Sequence, residues 1–349
     1  MIPLRAARWL LALMSALSAL HAETWQTNTG QKIEGNLKGI YGPIAVVGGK
    51  TGSSMLLLET LRDEELGRVA DFLAKKPAVA AWAESGSDVA RALKGKLQVL
   101  HGEKLVDFDP AKRPEPDFYL VYFGAEWCPP CRAFSPKLVA AYEQLKKISP
   151  DAFEVVFVSS DEDSSGQLKY AREVKMPWPV LRFSQRGRAA PIERWAGKGI
   201  PCLVVVTREG DAIFHSYKGE EYVGPSVVLE QFESLLRALD PKTGGGKRAN
   251  HRLAVAQHRR ATGGGSQAAA PYLIALDPRR YQTLKVKELT ATLDVNERGE
   301  VTDVAFEGEL PAVLRFQLEK DAGTWLFLPL IENGQPRPIK VKLPLKLGS

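Results

Sequence analysis

Along this 349-residue chain the spacing of apolar positions changes several times, and each change marks an element. Residues 118–123 form an unbroken apolar run of aromatic and β-branched types, which predicts a strand buried on both faces. After it, Phe134, Leu138, Ala141, Tyr142, Leu145 and Ile148 recur at helical spacing and predict a helix. Residues 97–100 and 104–108 read as a hairpin around His101-Gly102-Glu103. Residues 203–207 and 212–217 are strand candidates on either side of the turn Arg208-Glu209-Gly210-Asp211. A helix over 225–239 places Val228, Phe232, Leu235, Leu236 and Leu239 on one face.

The flanking regions have patterns of their own. Residues 32–40, 44–47 and 54–58 are short strand candidates separated by glycines. A helix over 63–73 follows, with Leu66, Val69, Ala70 and Leu73 in line and acids in its first turn. Residues 77–94 are a polar, alanine-rich connector with room for a short helix. Near the C-terminus, 289–295 and 301–306 alternate about a turn at 297–300, which predicts a hairpin. Residues 311–322 form a helix candidate carrying Leu314, Leu318 and Ala322, and 340–347 is a further alternating strand.

Composition changes this picture in three places. The chain is 44% apolar and 25% charged, ordinary for globular domains, and its length predicts two or three of them. Arg5 and Arg8 precede an apolar run from residue 9 to 20, followed by Leu20-His21-Ala22. That run is shorter than the roughly 20 residues a membrane-spanning helix needs. It reads as a secretory leader cut after Ala22, with an uncleaved membrane anchor as the alternative. The net charge of +6 is concentrated in Lys242, Lys247, Arg248, Arg252, Arg259 and Arg260, within an acid-free stretch bracketed by glycine runs. Such a stretch, 241–272, predicts a flexible basic linker; helix formation on an anionic surface is its other reading. No basic and aromatic interleaving suggests a nucleic-acid surface.

The chemistry sits where the period changes. Cys128-Pro129-Pro130-Cys131 falls on the strand-to-helix turn, where a helix N-terminus offers free N–H groups and about half a positive charge. That field favours thiolate over thiol. Cys128, nearer the exposed end, is the candidate attacking thiolate; Cys131, one turn in, is the candidate resolving thiol. Pro129 and Pro130 fix φ at the helix start without removing a needed donor. A zinc site needs two more ligands, no second CxxC or CxxH exists, and only Cys202 offers another sulfur, so no metal is assigned. Nor is a separate cofactor, since the cysteine pair is itself the redox group. With three cysteines in all, the chain is not a disulfide-stapled scaffold.

At these residues the chain resembles the thioredoxin superfamily, in its tryparedoxin/nucleoredoxin branch. The resemblance rests on Trp127-Cys128-Pro129-Pro130-Cys131-Arg132, Phe134-Ser135-Pro136, residues 153–163, Met176-Pro177-Trp178 and Gly199-Ile200-Pro201, and spans 95–240. It implies an α/β thioredoxin-like domain and a cis Ile200–Pro201 peptide facing the cysteines, with the Ile200 backbone free to pair with a substrate strand. Many relatives carry a buried Asp in the preceding strand; here Tyr122 stands there, and a phenol is a poor base near neutral pH. Proton transfer then falls to water or to Asp161 or Glu162. Cys202 is either a buried inert thiol or a third redox thiol, depending on which face its strand turns inward.

Two further resemblances complete the expected architecture. Residues 23–76, with Thr24-Trp25-Gln26 and Leu56-Leu57-Leu58, resemble a small Sla-homology-type barrel. Residues 273–349, with Leu293-Asp294-Val295 and Trp325-Leu326-Phe327-Leu328-Pro329, resemble the C-terminal domain of TonB proteins, an α+β module that pairs through an edge strand. The expected fold is thus an α/β thioredoxin-like centre, a small N-terminal β-barrel-like domain and a C-terminal α+β TonB-like domain. The expected function is an exported, periplasmic thiol–disulfide oxidoreductase. Its partners would be disulfide-containing envelope proteins, a thiol electron donor at the membrane and an edge-strand partner of the C-terminal domain. The rival reading is a non-catalytic envelope adaptor.

Overall fold

The N-terminal strands of the computed structural model form an open sheet. The structure describes residues 22–50, 52–75, 81–111, 113–239, 244–263, 265 and 288–346; the expected leader lies almost wholly outside them. Strands β1 (Glu23–Gln26), β2 (Lys32–Tyr41), β3 (Ile44–Gly49) and β4 (Gly52–Leu57) are ordered 1-2-3-4, with no closure of β4 on β1. This corrects the barrel expectation. A barrel would bury the apolar face inside itself. Here the last residue of β2 packs outside the sheet: the Tyr41 ring lies 5.1 Å from that of Phe118, and its hydroxyl donates to Glu209. Helix α1 (Asp63–Lys75) follows.

The chain divides into two units, neither of them contiguous. One comprises residues up to Tyr41, Ala45–Leu56 and Ala78–Leu236; the other comprises Gly42–Ile44, Leu57–Pro77 and Arg237–Ser349. The region expected as one N-terminal module is therefore shared between them.

In the first unit, α2 (Asp88–Leu93) precedes β5 (Leu97–His101), β6 (Lys104–Asp107), β7 (Phe118–Gly124) and α3 (Pro129–Ile148). There follow β8 (Phe153–Ser159), α4 (Ser164–Val174), β9 (Val180–Leu181), α5 (Ala190–Glu193), β10 (Cys202–Thr207), β11 (Ala212–His215), β12 (Tyr217–Lys218), β13 (Glu221–Tyr222) and α6 (Pro225–Leu239). The main sheet runs β11-β10-β7-β8-β9-β5-β6. Strands β7 and β8 are parallel, and β10 is antiparallel to β7. Every residue of β7, β8 and β10 is buried, as their continuous apolar runs require. On one face Tyr122 meets Phe134, Phe157 meets Tyr170, and Phe118 and Phe153 meet Phe232. On the other, Val121, Phe123, Cys202 and Val204 pack with Trp82, Val89, Leu93, Ile192 and Trp195.

In the second unit, the segment expected as a flexible linker contains a helix, α7 (Gly244–Ala261). Its cations are paired with α1 and the turn before it: Arg252 donates to Glu59 O at 2.5 Å and to Asp63 Oδ1 at 2.7 Å, Arg248 pairs with Glu59 and Arg260 with Asp71. His251 is buried, and burial lowers its pKa, so the imidazole is neutral and Nε2–H donates to Phe327 O at 2.7 Å. Strands β14 (Glu288–Val295) and β15 (Val301–Glu307), helix α8 (Ala312–Ala322), the hairpin β16 (Leu330–Glu332) and β17 (Gln335–Arg337), and β18 (Ile339–Lys346) complete the unit. A sheet in the order β15-β14-β18 buries Leu293, Leu318, Trp325 and Phe327. No described helix is long and apolar enough to cross a membrane.

Candidate redox site

Register brings the site together. Strand β7 ends at Gly124, and the chain turns through residues 125–128 into α3. Strand β10 is antiparallel to β7, with Cys202 opposite Phe123. Residue 201 therefore falls at the end of β7 and residue 200 just past it, beside the turn that carries the cysteines. The Ile200–Pro201 peptide is cis, and the Ile200 carbonyl oxygen lies 3.9 Å from Cys128 Sγ.

Cys128 and Cys131 are joined as a disulfide, with their Cα atoms 5.2 Å apart. Cys128 is the N-cap of α3, and its sulfur accepts the Cys131 N–H at 3.2 Å. Pro129 and Pro130 occupy the first helical positions, where a missing N–H leaves nothing unsatisfied. Cys131 is fully buried and Cys128 is 3% exposed. Trp127 beside it is 59% exposed, and Pro129 and Pro130 are exposed as well.

Under Cys131 lies a buried hydroxyl cluster. Tyr122 Oη is 2.8 Å from Ser135 Oγ and 3.3 Å from Tyr170 Oη; Ser135 and Tyr170 are 2.6 Å apart. Tyr122 also reaches the Cys131 carbonyl at 3.5 Å. Burial pushes the pKa values of Tyr122 and Tyr170 upward, so both stay protonated at neutral pH and neither is a base. Sequence reasoning missed Ser135 and Tyr170. For Ser135 a signal existed, because position i+4 from Cys131 shares its helix face.

The two acids after β8 have separate fates. Asp161 is buried: its carboxylate accepts from Glu126 N and from Ser159 Oγ, each at 2.7 Å. Ser160 N donates to Gly124 O at 2.7 Å. These bonds tie the turn before Cys128 to the turn after β8, so Asp161 acts on the site by holding its backbone. Glu162 is exposed. Around the rim, Lys169 sits 2.7 Å from Glu126 and holds its carboxyl below the usual range; Arg132 bridges Glu126 and Glu173.

Cys202 lies on the other face of the sheet from Tyr122, fully buried with Phe123 and Val204. Burial raises its pKa. Among the described residues no cluster of metal-ligating side chains is present.

Residues 116–212 match the family model described as thioredoxin-like. Among curated relatives, a probable nucleoredoxin 1 of Arabidopsis thaliana is 42% identical over 94 residues, 27% of this chain and 16% of the relative. A probable nucleoredoxin 3 of rice (Oryza sativa subsp. japonica) is 35% identical over 133 residues, 36% of this chain and 28% of the relative. The chain thus spans less than a third of the length of these relatives. A solved tryparedoxin from Trypanosoma brucei is 32% identical, with 36% of this chain and 85% of that chain covered at a TM-score of 0.30. The central region of this chain is therefore a thioredoxin-like α/β domain that is similar in sequence to nucleoredoxins.

Proposed function

We propose that the protein is an exported thiol–disulfide oxidoreductase that exchanges disulfides with envelope proteins through Cys128 and Cys131. The observation that carries this is the disulfide itself: it caps a helix N-terminus, and the Ile200 carbonyl sits 3.9 Å from Cys128 Sγ. In the reduced protein, the Cys128 thiolate attacks one sulfur of a partner disulfide, and the other sulfur leaves as a thiolate that takes up a proton. The Cys131 thiolate then attacks Cys128 Sγ, releases the second partner thiol and restores the intramolecular disulfide. Two electrons from a thiol donor at the membrane return the pair to dithiol. Because Asp161 is engaged by Glu126 and Ser159 and Tyr122 stays protonated, the Cys131 proton passes to water.

Export is supported by the leader pattern of residues 1–22. Among the described residues β15 and β18 are the outer strands of the C-terminal sheet, which supports a TonB-like edge-strand partner. A pure adaptor would not need a closed cysteine pair, which favours the enzyme reading over the scaffold reading.

Reduction of insulin disulfides with a chemical dithiol as donor tests the proposal. Cys128→Ser should abolish turnover, and Cys131→Ser should accumulate a mixed disulfide. Retained turnover in Cys128→Ser would remove the enzyme reading.

A further inference from the structure

The β12–β13 hairpin touches the redox site and has no role in the scheme so far. Three links join it to residues 197–201. The Tyr222 hydroxyl donates to the Pro201 carbonyl at 2.8 Å. The Tyr217 ring fills the space beside two glycines: a Cβ at Gly197 would overlap it, and one at Gly199 would come within 3.1 Å of its hydroxyl. Lys198 pairs with Glu220. The hairpin is itself fixed to β10, since Ser216 Oγ accepts from Leu203 N at 2.8 Å and donates to Leu203 O at 3.0 Å. The Ser216 carbonyl accepts from Val223 N and Gly224 N at 2.9 and 3.2 Å.

The two tyrosine rings pack against each other at a tilt of 52°. Their ring centroids are 5.0 Å apart. Tyr217 packs on the core cluster, whereas Tyr222 is 48% exposed. A continuous line of contacts therefore runs from the core through Tyr217 and Tyr222 to the Pro201 carbonyl. The next residue back is Ile200, whose carbonyl faces Cys128.

We infer that Tyr222 is a positioning residue, specific for extended disulfide-bearing polypeptides, that sets the 200–201 backbone for strand-like pairing and lends its exposed ring to the partner. This rests on the redox reading above. A peptide that pairs with the Ile200 backbone needs that backbone in one place; a hydrogen bond from a core-anchored ring holds it there. Tyrosine suits the second task as well, because it offers a large contact surface with few rotatable bonds. A small disulfide reaches the sulfur without pairing with the 200–201 backbone and does not depend on Tyr222.

The test uses the full chain and two variants. Tyr222→Phe removes only the hydroxyl; Tyr222→Ala removes the ring too. Each is assayed on insulin and on a small aromatic disulfide, and amide hydrogen exchange is followed across residues 197–203. Tyr222→Phe should raise KM for insulin about three- to tenfold, the range of one neutral hydrogen bond. It should leave kcat and turnover of the small disulfide unchanged, and speed exchange at 198–200 but not in α6. Tyr222→Ala should raise KM further. An unchanged KM for insulin in both variants, or an equal loss on both substrates, would overturn the inference. If the wild-type protein reduces no disulfide at all, the redox reading fails. The exchange data still decide the rest: no acceleration in Tyr222→Phe overturns the positioning role independently.

Discussion

Asp161 is the test of how the site is held. Its carboxylate is buried and accepts two hydrogen bonds of 2.7 Å, one from Ser159 Oγ and one from Glu126 N. Asp161→Ala removes both acceptors. The Ser159 hydroxyl, buried, then loses its acceptor at about 1–3 kcal/mol. The Glu126 N–H is partly exposed and recovers water, so it adds about 1 kcal/mol. Relief from burying a charge offsets some of this. The expected net loss is about 1–3 kcal/mol for the oxidised protein. Asp161→Asn keeps an oxygen toward Glu126 N and presents an amide nitrogen to Ser159, whose oxygen can accept from it; the loss should be about 1 kcal/mol. Urea titrations followed by near-ultraviolet circular dichroism would measure both, with slopes compared to confirm that the same surface unfolds. A shift below about 0.5 kcal/mol for Asp161→Ala, or equal losses for Ala and Asn, would refute the idea that this carboxylate staples the cysteine turn.

Three other outcomes are expected. Burial pushes the Glu209 carboxyl up to about 7 from 4.5, with the charge of Asp211 adding to the effect. Unfolded chains ionise through that window while the folded carboxyl keeps its proton, so stability should fall as pH rises from about 4.5 to about 7 and then level. The loss is at most about 3 kcal/mol, less after solvent screening of a half-buried group; a Glu209→Gln variant that kept the same pH slope in melting experiments would contradict this. Cys202 should resist iodoacetamide in the native protein, and Cys202→Ala should keep full turnover at a cost of about 1–2 kcal/mol; labelling without denaturant would put the thiol within reach of the site. Limited trypsin should spare Arg252 and Arg260, which lie in α7 and pair with Asp63 and Asp71; rapid cleavage at either would restore the flexible-linker reading.

That linker shows where sequence reasoning ran out. Residues 244–261 carry many cations and no acid, so read locally they describe a chain with nothing to hold it. The acids that pair with Arg252 and Arg260 stand 189 residues earlier. The N-terminal barrel expectation failed for the same reason. The apolar positions of 32–40 and 44–47 predict strands, but not that Tyr41 packs on Phe118 and bonds to Glu209, far along the chain. In the hydroxyl cluster of Tyr122, Ser135 and Tyr170 only Ser135 was legible, one helical turn after Cys131, because every hydrogen bond of the cluster crosses between elements.

What the sequence by itself determined is local: a strand buried on both faces, a helix after it, and two cysteines at the junction with prolines that start the helix. Period, turn chemistry and helix polarity act over a few residues and need no distant partner. Tertiary structure decided everything that depends on pairing across the chain. The register of β10 against β7 set Ile200 over Cys128 and turned Cys202 to the opposite face of the sheet. The turn after β8 engaged Asp161 as a staple, and the hairpin placed Tyr222 under the Pro201 carbonyl. A side chain's face depends on which neighbour its strand takes, and that choice is made by the burial of the whole sheet.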